Sequence, residues 1–161
     1  MNHMMIDVES LRLKKPWLAP LMQVGMVVFN EKAEVRKMVE VYVDQASLPE
    51  WAVPEKQTVE FWEKQPGWPK MLEALESRST SVFDALLQIR NLYTIFQCQS
   101  VWFAGPKYDE TILDSYFDHF ELDPPWRYND SRDYRTIRKQ HPDVPKPDNP
   151  NLHFALEDAM Y

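Results

Sequence analysis

The sequence predicts an α/β fold, a mixed central sheet flanked by helices, and three observations predict it. The N-terminal part reads as three β-rich runs in succession. The rest alternates between helix-period and strand-period segments. No internal repeat or linker interrupts the 161 residues, so 1–161 suit one domain. A chain of that size buries roughly two thirds of its unfolded surface. An antiparallel meander followed by alternating helices and strands is the pattern of a mixed sheet.

In chain order, "HMMIDVES" is an apolar run ending in alternating acids, a strand whose end carries Asp7 and Glu9. "LRLKKPWLAP", with its prolines, reads as a loop, and "LMQVGMVVFN" as a second strand. "AEVRKMVEVYVDQ" alternates in its second half, with Val39, Val41 and Val43 on one side of a third strand. Pro54 and Pro66 bracket a short helix that contains Thr58, Phe61 and Trp62. Behind Ser81, a suitable N-cap, Val82, Leu86, Ile89, Tyr93 and Phe96 recur at helical spacing. "SVWFAG" is a short strand stopped by Gly-Pro, and "DETILDSYFDHFEL" an amphipathic helix that starts at Asp109. "PWRYNDSRDYRTIRKQ" reads as a short strand followed by a polar helix. A proline-rich loop between 142 and 150 then precedes a short last helix bearing His153 and Asp158.

Composition narrows the function. Hydrophobic content of 44% and aromatic content of 13% are enough for a core. The single cysteine, Cys98, excludes an intrachain disulfide and a cysteine zinc cage, and its apolar neighbours make it a buried thiol. No apolar run approaches the roughly 20 residues needed to span a bilayer, and no leader is visible, so the cytoplasm is the expected compartment. The net charge of −7 disfavours a metal-free nucleic-acid binder. It leaves room for carboxylates that hold divalent cations, which present positive charge to a phosphate once loaded.

Four acids stand at the edges of regular elements. Asp7 and Glu9, two apart on a strand, share a face. Asp109 opens a helix directly after a strand, and Asp158 lies on the last helix with His153 ahead of it. Carboxylates suit hard cations, and two such ions about 4 Å apart clamp the attacking and leaving oxygens of a phosphoryl transfer. A nearby His suits proton removal from the attacking water. Each signal alone is ordinary: a solvated strand edge, an N-cap, a surface histidine. Their order and placement together point to a site.

In that order the motifs resemble those of DEDDh exonucleases of the ribonuclease H-like superfamily. "MIDVES" is similar to their hydrophobic-Asp-x-Glu-Thr/Ser motif, "GPKYDETIL" to their aromatic-Asp motif, and "HFALEDA" to their His-x-Ala-x-x-Asp-Ala motif. "TVEFWEKQ" and "WRYNDSRDYRT" resemble two further motifs of a compact branch that holds phage exonucleases and a bacterial 3′–5′ exoribonuclease. The resemblance runs over nearly the whole chain. It departs at Ala104, where relatives often carry Asn, and in the short last helix.

The resemblance implies a ribonuclease H-like sheet and a metal-dependent 3′–5′ exonuclease that acts on single-stranded DNA or RNA and releases nucleoside 5′-monophosphates. By the same likeness, Asp7, Glu9, Asp109 and Asp158 would hold two divalent cations, Mg²⁺ or Mn²⁺, with His153 as general base. Ser10 and Leu11 would back the terminal nucleotide. Trp62 is the chosen stacking face, with a core role the other reading, and Tyr108 completes the substrate contacts. Arg132, Asp133 and Arg135 are read first as a structural ion-pair group and second as phosphate contacts. A phage or bacterial host cytoplasm would be the setting. Relatives that dimerise make the 51–62 segment the expected contact of a homodimer. Two other readings stand beside this one: a weakened nucleic-acid-binding module on the same fold, and an oligoribonuclease-like enzyme for very short strands.

Overall fold

The computed structural model describes residues 1–145, 149 and 153–160. Of the proline-rich loop, Pro147 and Pro150 lie outside the described residues. Six described strands form one sheet: β1 (Asn2–Ser10), β2 (Leu21–Asn30), β3 (Val35–Val43), β4 (Ser79–Thr80), β5 (Cys98–Phe103) and β6 (Ser131–Asp133). The helices are α1 (Lys56–Glu63), α2 (Trp68–Ser77), α3 (Val82–Ile95), α4 (Asp109–His119), α5 (Tyr134–Gln140) and α6 (Ala155–Met160). Across the sheet the order is β4-β3-β2-β1-β5-β6. β1, β2 and β3 are the antiparallel meander, and β4, β5 and β6 join in parallel. This is the mixed α/β sheet expected from the sequence.

Strand periodicity sorts the side chains onto two covered faces. Met4, Ile6 and Val8 of β1, with Val24, Met26 and Val28 of β2, share a core with Leu86 and Ile89 of α3 and Ile112 and Leu113 of α4. Val41 and Val43 extend that face along β3, and Val39 is partly buried against it. On the opposite face Met5 and Val27 meet Ala159 of α6, while Met22 and Tyr42 meet Trp62, Met71 and Phe154. Because helices cover both faces, β2 is a nearly unbroken apolar run rather than an alternating one.

Local signals account for some of the boundaries. Ser81 caps α3 by accepting the Asp84 N–H at 3.1 Å, a contact that stabilises a helix by about 1 kcal/mol. Two elements were not anticipated. The ten residues of α2 begin with Trp68-Pro69, and proline in a first turn needs no donor and starts a helix well. In the sequence that proline looks like more loop. β4 is only two residues long and exists because it pairs with Tyr42 and Val43. A 3-10 turn, Pro16–Leu18, lies within the expected loop. Cys98 is buried, as expected, and burial pushes its thiol up to about 11. Among the described residues no helix is long and apolar enough to cross a membrane.

Tyr116 ties α4 to the start of β2. Its ring is fully buried, and its hydroxyl donates to the Ala19 carbonyl at 2.8 Å and accepts the Leu21 N–H at 3.1 Å. Tyr116→Phe strands two buried backbone groups. It should lower unfolding free energy by about 1–3 kcal/mol, measured as a lower urea midpoint at unchanged slope.

Candidate active site

Three chain segments bring four acids and a histidine together where β1 ends. Asp7 is 8% exposed and sits opposite Gly25, while Glu9 sits opposite Gln23. Their spacing of two turns both carboxylates toward the face that α6 covers. Asp109 opens α4, is 4% exposed, and its Oδ2 accepts the Gly105 N–H at 3.1 Å. An acid at a helix N-terminus also meets the positive end of the helix dipole.

The last two members come from the end of the chain. His153 lies just ahead of α6, not within it, with φ of 67°. This left-handed conformation is uncommon outside glycine but enriched for His, Asn and Asp. It aims the His153 N–H at Asp158 Oδ2, 3.0 Å away. Asn149 Nδ2 donates to Asp158 Oδ1 at 2.6 Å, so both oxygens of that carboxylate are oriented by the segment before the helix. The His153 ring meets Phe61 and Trp62 edge-on, with centroids 5.2 and 6.0 Å away.

Electrostatics makes this an uncomfortable place for carboxylates alone. Burial, and then the charges of Asp109, Glu9 and Asp158, raise the Asp7 carboxyl well above its ordinary range. Burial also raises Glu9, helped by Asp158 and Asp109, and the Glu9 and Asp158 carboxyls are within hydrogen-bonding reach of each other. Asp109 is pushed up to about 7 by burial, against the pull of the Gly105 N–H and the Arg135 guanidinium. Among the described residues none of these acids forms an ion pair. Glu9, His153 and Asp158 each offer one ligand atom, all within 4.8 Å of one another. This donor set, oxygen-rich, crowded and short of positive charge, fits divalent cations.

A cleft of about 550 Å³ opens over these residues, and Ser10, Leu13, Lys14, Phe61, Trp62, Tyr108 and Arg135 also line it. A larger groove of about 860 Å³ adjoins it and shares Asp7, Arg135, His153 and Asp158. Ser10 is nearly buried; its hydroxyl meets the Tyr108 hydroxyl at 2.7 Å and lies 3.0 Å from the Arg12 carbonyl. The Tyr108 hydroxyl also lies 2.9 Å from that carbonyl, and with one proton each only one of the two hydroxyls donates to it while the other donates across the pair. The two hydroxyls hold the start of the β1–β2 loop against the cleft wall.

The structure therefore brings together Asp7, Glu9, Asp109, His153 and Asp158, with Ser10 and Tyr108 beside them. Leu11 packs against the cluster around Met22 and Trp62, and Leu13 lines the cleft instead. Trp62 is only 3% exposed and its indole N–H donates to the Ser10 carbonyl at 3.0 Å, so it is largely a core residue. Among the described aromatic residues lining the cleft the most exposed is Phe61, at 43%, which the sequence reading did not single out. Arg135, read first as structural, lines the cleft and acts on Asp7 and Asp109, whereas Arg132 bonds backbone carbonyls at the sheet edge. Gly25 went unremarked too. A Cβ there would lie 2.1 Å from the Ala155 carbonyl carbon and 2.2 Å from the Leu156 nitrogen, so α6 rests directly on the β2 backbone. Glycine inside a strand is the sequence signal for such an approach.

Comparison with known proteins gives the same picture. The family model of the 3′–5′ exoribonuclease Rv2179c-like domain matches residues 2–161. The nuclease domain of 3′hExo, a DEDDh family member solved with rAMP, superposes with a TM-score of 0.69 at 13% identity over 98% of this chain and 86% of that one. Exonuclease I of E. coli, solved with a dA16 oligonucleotide, gives 0.73 at 14% identity over 98% of this chain and 38% of that one. This chain thus spans well under half of exonuclease I, and at such identities the likeness speaks for the fold. No curated protein sequence matches significantly.

The raised carboxyls of Asp7, Glu9 and Asp109 predict a pH-dependent stability. Their folded values exceed the unfolded ones, near 4. The Asp109 contribution is therefore complete below about pH 4 and is lost as pH rises through about 7, and the raised Asp7 and Glu9 carboxyls act in the same direction. Calorimetry in EDTA should show the melting temperature falling between pH 5 and 8. The gain from millimolar Mn²⁺ should grow over the same interval, because the cation binds the ionised set.

Proposed function

Because the chain belongs to the family of the 3′–5′ exoribonuclease Rv2179c-like domain and is a 3′–5′ exonuclease of the DEDDh, ribonuclease H-like type, we propose that its cleft removes nucleotides one at a time from the 3′ end of a single strand. The observation that carries this reading is the convergence of Asp7, Glu9, Asp109, His153 and Asp158, drawn from both ends and the middle of the chain, on one cleft. Its volume of about 550 Å³ lies in the range of small-ligand pockets, roughly 300–1,000 Å³. A single terminal nucleotide suits such a space and a stacked duplex does not. The family's exoribonuclease description supports RNA as the strand to test first, beside DNA.

In this reading Asp7, Glu9, Asp109 and Asp158 hold two divalent cations, Mg²⁺ or Mn²⁺. When bound, they supply charge stabilisation for the phosphoryl group and a more acidic attacking water. His153, held edge-on by Phe61 and Trp62, takes the proton from that water at a ring nitrogen. Ser10 and Tyr108 keep the loop that backs the terminal sugar in place. Phe61 offers a face to the terminal base, and base–aromatic stacking contributes about 1–3 kcal/mol. The Arg135 guanidinium lines the cleft wall and balances part of the charge of the scissile phosphate. The products are a nucleoside 5′-monophosphate and a strand shorter by one unit.

Oligonucleotides of RNA and DNA labelled at the 5′ end, incubated with Mn²⁺ or Mg²⁺, should give a ladder of single-nucleotide steps from the 3′ end. EDTA should stop it, and Asp7→Ala should abolish it; a ladder that persists in either case would remove the metal-site assignment. His153→Ala should lower turnover by about 10²–10⁴-fold, the usual scale for loss of a general base. Turnover within a few-fold of the parent would take His153 out of that role.

A further inference from the structure

We propose that Gln23 and Glu40 form a positioning pair that sets how α6 sits on the sheet, and so where Asp158 and His153 stand relative to Asp7 and Glu9. The inference rests on the reading of Asp158 and His153 as members of the site. Gln23 is fully buried near the start of β2. Its Oε1 accepts the Ala155 N–H at 2.8 Å, and its Nε2 donates to Glu40 Oε1 at 2.8 Å. Ala155 is the first residue of α6, and a first-turn N–H has no partner within its own helix. Glu40 is the reason the amide faces this way. An ionised carboxylate only accepts, so it takes the NH₂ and leaves the amide oxygen for the helix.

The register turns this into a device for the site. Gln23 lies across from Glu9, and Gly25 lies across from Asp7. Glu40 lies across from Gly25 on β3. Each acid of the Asp-Val-Glu run thus faces a residue of β2 that governs α6, one by hydrogen bond and one by absence of a side chain. Gly25 lets the helix backbone come down onto the strand, and Gln23 fixes its N-terminal end. Asp158 follows Ala155 by three residues, about one turn. A tilt about that end would move its carboxylate away from Glu9. A helix of six residues has little stability of its own, so its placement depends on such anchors.

The test compares Gln23→Leu, Gln23→Glu, the double variant Gln23→Glu/Glu40→Gln, and Asp158→Ala. Each is assayed for Mn²⁺ affinity by titration calorimetry, for kcat and KM on a 3′-terminal oligonucleotide, and for metal-free melting. Gln23→Leu removes the acceptor for Ala155. Gln23→Glu sets two carboxylates against each other. The double variant reverses donor and acceptor at unchanged net charge and restores both bonds. Both single changes at position 23 should weaken Mn²⁺ binding and lower kcat by about 10–100-fold, the usual cost of losing a group that orients a metal ligand. KM should change little, and the double variant should recover both losses to within a few-fold. A structural role alone would lower melting temperature without that recovery of metal affinity. A folded Gln23→Leu with parental affinity and kcat, beside an inactive Asp158→Ala, would overturn the proposal. So would a double variant no better than Gln23→Glu, which decides the matter even if Gln23→Leu fails to fold. An active Asp158→Ala would overturn the site reading, and the proposal with it.

Discussion

Mutual repulsion among Asp7, Glu9, Asp109 and Asp158 is the constraint around which the rest of this fold is arranged. Burial and neighbouring carboxylates both raise the proton affinity of Asp7 and Glu9. Apolar packing elsewhere has to hold these groups together against that cost. The sheet does so by placing Asp7 and Glu9 on one of its two central strands, between β2 and β5. Met4, Ile6 and Val8 on the reverse face of the same strand are anchored in the main core. The strand cannot move to relieve the charges without giving up that packing.

The same constraint explains why the site is spread along the chain. Acids on a single flexible segment would separate, whereas acids on a strand, a helix start and a docked helix cannot. Asp109 is pinned by the Gly105 N–H, and Asp158 by Asn149 and the His153 N–H. The positive charge of Arg135 acts on both Asp7 and Asp109. That leaves the set short of cation, which is the electrostatic condition of a centre that recruits divalent ions. An acidic protein of net charge −7 can then act on a polyanion.

On the far side of the cleft the aromatic residues divide the work by burial. Trp62 is in the core and supports Ser10 through its indole N–H, while Phe61, one position earlier on the same helix, keeps open surface. Both rings meet His153 edge-on, which limits how the imidazole can turn. Packing, hydrogen bonding and the chemistry of the site are joined here through neighbouring residues of one short helix.

Much of this was legible in the sequence because it is local. Strand periodicity marked β1 to β3, Ser81 marked the start of α3, and the spacing of Asp7 and Glu9 put them on one face. Motif order nominated the five polar residues that the fold brings to one cleft. Three features were decided only by tertiary structure. Adjacent aromatic residues in a short helix look alike in sequence, so which of Phe61 and Trp62 keeps open surface depended on how α1 is rotated against the sheet. Arg135 could be placed beside the acids only once β6 had paired with β5. The seating of α6 on Gln23 and Gly25 joins residues 132 positions apart at one of its bonds. Periodicity and capping act within a few residues of one another, and they set which elements form. Register and the close approach of one backbone to another are properties of pairs distant in the chain, and they set where the chemistry stands.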